Sequence, residues 1–77
     1  MLFHERLKML RLRSAYMQKE LAELLGVSVR TFQGWETGRS EPNFEKVILI
    51  ATIFRVSTDY LFGFDVDSLP EVDVEEY

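Results

Sequence analysis

The chain has no cysteine, so neither a disulfide nor a thiolate metal site holds it together, and a zinc finger is excluded. No apolar run reaches the ~18 residues of a membrane span. There is no glycine-rich phosphate loop and no internal repeat. His4 is the single histidine, and with no cysteine or paired carboxylate it makes a poor metal ligand or catalyst. Ser14, Ser28, Ser40, Ser57 and Ser68 lack a base partner for nucleophilic catalysis. Acidic pairs near the C-terminus have the groups for acid–base chemistry, but nothing places them in a pocket. These absences predict no enzyme, no cofactor and no metal. The opening Met1-Leu2-Phe3-His4-Glu5-Arg6 reaches charge too early for a signal peptide, so the expected place is the cytoplasm.

What is present fits one small domain of 77 residues, 47% of them hydrophobic. A chain of this size buries roughly 60% of the surface it exposes when unfolded. Net charge is −4, which argues at first against a polyanionic partner. The distribution reverses that. Residues 1–40 hold seven bases and four acids, a net of +3, and residues 41–77 hold two bases and nine acids, a net of −7. Six of those acids lie in 64–77, which has no base, and residues 1–63 alone carry +2. A ligand responds to the local field, so the basic half is compatible with phosphate and the tail is a separate feature.

Hydrophobic spacing predicts five helices and no strand. Residues 3–14 place Phe3, Leu7 and Leu10 on one face, with Arg6, Lys8, Arg11 and Arg13 polar. Residues 18–25 turn Leu21, Ala22, Leu24 and Leu25 inward, and Gly26 suits a left-handed stop because it lacks a Cβ. Ser28 caps a third helix over about 29–36, which Gly38 ends. Asn43 caps a fourth to about Phe54, with Val47, Ile50, Ala51 and Phe54 as its apolar face. Ser57 caps a short fifth through Phe62, stopped by Gly63. Residues 64–77 alternate acids with Val and Leu and contain Pro70, which suggests a tail or extended arm. The expected fold is all-α: a compact five-helix domain over 1–63 with an acidic C-terminal tail over 64–77.

The stretch from Gln18 to Glu36 has a physical logic. Two helices crossing steeply need a small residue at the contact, and Ala22 supplies it. The turn needs a residue that tolerates positive φ, and Gly26 supplies that. Phe32 and Trp35, three apart, anchor the second helix of the pair to the core. Val29, Arg30, Gln33 and Gly34 are then left facing outward, as a helix-turn-helix over about 18–36 requires.

With Gln18, Leu21-Ala22, Gly26-Val27-Ser28, Trp35-Glu36, Gly38, Pro42 and Val56-Ser57 through Tyr60-Leu61-Phe62-Gly63, residues 3–63 resemble the lambda-repressor-like, Cro-type helix-turn-helix family of bacterial and phage regulators. The resemblance implies a sequence-specific regulator of transcription, more often a repressor, that binds double-stranded DNA. It implies phosphate contacts from Gln18, Ser28, Thr31 and Arg39, and base reading along the third helix at Val29, Arg30, Gln33 and Gly34. It also implies a structural ion pair between Arg11 and Glu36. An exposed arginine at a helix start, Arg30, suits bidentate recognition of guanine. Val29 is either stray surface apolarity or a contact to a thymine methyl. Gln33 is either surface filler or a contact to adenine or phosphate.

Three positions depart from the family pattern. Met17 stands where Ser or Thr usually caps the second helix, so no capping box is expected there despite Glu20. Ala15 stands where Gly is common. Gly34 occupies a position that often carries a reading side chain and costs the helix ~1 kcal/mol relative to Ala, leaving base reading there to a close backbone approach, if to anything.

Relatives commonly pair across a two-fold axis, which implies a homodimer. Tyr60, Leu61, Phe62 and Phe64 are the expected pairing surface, within a joint over about 57–74. Val66, Leu69, Val72 and Val74 either extend that surface or fold back over it. A second reading makes the chain an antitoxin-like or phage-encoded interaction module with DNA binding secondary. In that case a basic protein partner docks on Asp65, Asp67, Glu71, Asp73, Glu75 and Glu76.

Overall fold

Leu7, Leu21, Leu25, Phe32, Ile50 and Leu61 come from five different helices and meet in one core, where each is essentially inaccessible to solvent. A computed structural model describes residues 2–64 of the chain. Its elements are α1 (Phe3–Arg13), α2 (Gln18–Leu25), α3 (Val29–Thr37), α4 (Phe44–Phe54) and α5 (Thr58–Leu61). Among the described residues every regular element is helical, and no helix is long and apolar enough to cross a membrane. The calls on the acidic tail, its apolar residues and a partner docked there fall on residues 65–77, outside the described residues.

Short-range chemistry accounts for most boundaries. The side chains of Ser28, Asn43 and Ser57 accept hydrogen bonds from the backbone N–H of Thr31, Lys46 and Tyr60. Each thereby satisfies a donor that the first turn leaves free. At Met17 the thioether makes no capping hydrogen bond, yet Glu20 Oε1 accepts from the Met17 N–H at 2.8 Å. The expectation of no capping box at that end is therefore corrected by half: the returning carboxylate arm forms without a capping hydrogen bond from the Met17 side chain. Glu5 does the same for Leu2 at the start of α1.

Leu24 is a second correction. It is more than half exposed, whereas Leu21, Ala22 and Leu25 are buried. At 3.6 residues per turn, Leu24 falls off the stripe that those three define. α4 ends on Arg55, which adopts the left-handed conformation at φ 55° without being glycine. Lys46 on α4 donates to the Leu25 carbonyl at 2.6 Å, so its ammonium closes the C-terminus of α2. α3 packs against both α1 and α2, while α4 and α5 close the other side of the core.

Candidate nucleic-acid interface

The geometry of α3 begins at Gly26. Its φ of 70° turns the chain sharply after α2, and the Val27 N–H reaches back to the Ala22 carbonyl at 2.9 Å. Ala22, 1% exposed, keeps the two helices close. Phe32 and Trp35 then hold α3 to the core, their ring centroids 6.1 Å apart. Val29 also packs against the core and is half-buried, with only its outer part free. Arg30, Thr31, Gln33 and Thr37 remain exposed along the helix.

Behind this face runs a chain of polar contacts. Arg11 on α1 donates from Nε to Glu36 Oε2 at 2.6 Å and from Nη2 to Glu36 Oε1 at 3.0 Å. Glu36 is buried, and the fork of the guanidinium supplies the compensating charge and donors that a buried carboxylate requires. Gln18 Nε2 donates to Glu36 Oε1 at 2.8 Å, and Gln33 Nε2 donates to Gln18 Oε1 at 3.1 Å. The carboxylate only accepts, so it dictates which end of the Gln18 amide faces it. Gln18 must then present its oxygen to Gln33, and Gln33 is left with its own Oε1 and one amide proton facing outward.

The remaining site residues divide unevenly. Ser28 and Thr31 bond one another, hydroxyl to hydroxyl at 3.0 Å, at the exposed start of α3. Gly34 is buried, and a Cβ there would lie 2.7 Å from Ser40 Oγ and 3.0 Å from Arg39 Nη2. Its backbone is covered, which removes the direct approach to a base expected for it. Arg39 is exposed, yet its side chain does not extend away from α3. Its Nη2 donates to the Arg30 carbonyl at 3.2 Å, which lays the side chain across α3. Leu61 is fully buried in the monomer and is corrected out of the expected pairing surface. Tyr60 is half-buried with the Arg6 guanidinium 4.0 Å from its ring centroid, while Phe62 and Phe64 are exposed.

Sequence reasoning missed Lys8. It is exposed on α1 and lines a shallow polar depression with Arg11, Gln18, Gln33, Thr37 and Arg39, at the junction of α1, α2 and α3. Its place three residues before Arg11 on one helix was the available signal.

A helix-turn-helix family model matches residues 7–61, from within α1 to the end of α5. The chain belongs to the helix-turn-helix family. Its lambda-repressor-like, Cro-type character follows from its relatives and neighbours. The SPbeta prophage-derived HTH-type transcriptional regulator YonR of Bacillus subtilis is 32% identical over 99% of this chain and 78% of its own length. The HTH-type regulator YobD of the same organism is 29% identical over 94% of this chain. A transcriptional regulator from Listeria innocua superposes with a TM-score of 0.81 at 34% identity, over 95% of this chain. The P22 c2 repressor, solved in complex with a synthetic operator, superposes with a TM-score of 0.77 at 31% identity, over 84% of this chain and 98% of its own. The chain spans 64% of the length of YobD and 64% of the Listeria regulator.

Proposed function

We propose that this chain is a sequence-specific, double-stranded DNA-binding transcriptional regulator, a repressor, acting in the cytoplasm through α3 in the major groove. The observation that carries this reading is the outer face of α3, where Arg30 and Gln33 stand exposed and the Gln33 amide is held through Gln18 by a buried ion pair. Superposition on the operator-bound P22 c2 repressor supports it. Arg30 reads guanine, and Gln33, with one donor and one acceptor free, matches the N6 and N7 edge of adenine. The exposed part of Val29 meets a thymine methyl. Gln18, Ser28 and Thr31 contact phosphate at the N-termini of α2 and α3, and Lys8 adds charge beside them.

One recognition helix covers only a few base pairs. We take the functional unit to be a symmetric homodimer, joined near Phe62 and Phe64 and reading inverted half-sites about 34 Å apart. Selection of bound duplexes from a random pool tests the reading, with Arg30→Ala in parallel. A symmetric consensus is expected, and Arg30→Ala should lose about 1–3 kcal/mol of discrimination at one base pair. Enrichment of no sequence would overturn it.

A further inference from the structure

We propose that Arg39, which lies outside the recognition helix, reads a guanine through the gap that Gly34 leaves on α3. The proposal rests on α3 entering the major groove.

Positions 30, 34 and 37 share one face of α3 at 3.6 residues per turn. Glycine inside a helix is unfavourable, so a glycine there calls for a reason, and close approach of another group is one. The structure supplies that group. A Cβ at Gly34 would meet Ser40 Oγ at 2.7 Å and, from Arg39, Nη2 at 3.0 Å and Nε at 3.5 Å, so the guanidinium rests beside the Ser40 hydroxyl on the bare backbone where a side chain would otherwise begin.

The arrangement is held at both ends. Gly38, with φ of 80°, turns the chain back after α3, and the Ser40 N–H donates to the Gly34 carbonyl at 3.2 Å. Arg39 Nη2 donates to the Arg30 carbonyl at 3.2 Å. The side chain therefore travels with α3 as if it belonged to it. Among the described residues its other N–H donors have no partner, and the residue is exposed. A guanidinium with free donors on the outer face of a groove-bound helix presents the fork that pairs with O6 and N7 of guanine. A side chain serving phosphate would instead extend toward the groove edge. With Arg30 on the same face, each half-site should contain two guanines read by two arginines.

The test compares sequences selected from a random duplex pool by the wild type, Arg39→Lys, Arg39→Ala and Gly34→Ala, with thermal melting to check that each variant folds. Arg39→Lys keeps the charge but loses the fork, so it separates reading from phosphate binding. Both Arg39 variants should lose preference for guanine at one shared base pair, by roughly tenfold to a hundredfold, with the other positions unchanged. Gly34→Ala, whose methyl would crowd both the Ser40 hydroxyl and the Arg39 guanidinium, should lose preference at that same base pair. If Arg39→Lys selects the wild-type consensus at every position, Arg39 serves phosphate and the proposal falls alone. If the wild type selects no consensus, the major-groove reading fails and takes the proposal with it.

Discussion

The guanidinium of Arg11 grips the buried carboxylate of Glu36 with two hydrogen bonds, of 2.6 and 3.0 Å, tying α1 to the inner side of α3. The Arg11 side chain is 14% exposed and that of Glu36 3%. At that burial, removing one partner strands the other charge, which costs about 3 kcal/mol or more, whereas removing both leaves no orphan. Arg11→Met and Glu36→Leu should each lower stability by about that amount, and the double variant by clearly less than their sum. A double-mutant cycle from urea unfolding measures the coupling, and strict additivity would show that the two side chains do not depend on each other.

Gln18 stands between that pair and Gln33. Gln18→Ala should weaken binding to all duplexes through its lost phosphate contact. It should also relax preference at the base pair read by Gln33, because the Gln33 amide then rotates freely. In a Gln33→Ala background the second effect should vanish and the first persist. Binding titrations with operator and single-base variants distinguish them. If Gln18→Ala scales all affinities alike, Gln33 does not depend on Gln18.

Arg55 carries φ of 55° at the end of α4. The left-handed conformation costs a residue with a Cβ about 1–2 kcal/mol, and glycine returns about 0.5–1 kcal/mol of that through the unfolded chain. Arg55→Gly should therefore stabilise the domain by roughly 0.5–1 kcal/mol, raising Tm by a few degrees. Calorimetry reads this directly, and a lowered Tm would mean that the Arg55 side chain makes a contact worth more than the strain.

Phe62 lies 5.5 Å from Phe3, ring to ring, and both Phe62 and Phe64 remain open to solvent beside Leu2. Sedimentation of the wild type at micromolar concentration, with and without operator, should show a dimer. Phe62→Glu and Phe64→Glu should shift it toward monomer and lower operator affinity at least tenfold without unfolding the domain. A wild type that stays monomeric in both conditions and binds one half-site at full affinity would remove the dimer from the mechanism.

Local chemistry made much of this fold legible. Ser28, Asn43 and Ser57 cap within one turn of themselves, and Gly26 and Gly38 allow positive φ wherever they stand, so five helix starts or stops follow from adjacent residues. Phe32 and Trp35 are core for the same reason, since helical spacing alone puts them on one side. The Arg11–Glu36 pairing was legible only through resemblance, because 25 residues separate the two.

The sequence by itself determined the helices, the turn at Gly26 and the basic N-terminal half. Tertiary packing decided the rest. Leu61 is core and its apolar neighbour Phe62 is surface because α5 packs against α1 and α4, which sets the side of it that is covered. Likewise, Gln33 is oriented by a carboxylate on its own helix only through Gln18 on another. Gly34 is covered because the chain beyond Gly38 folds back to lay Arg39 upon it. Each of these outcomes depends on where a distant segment comes to rest, and such placement is a property of the packed core that no local pattern of residues encodes.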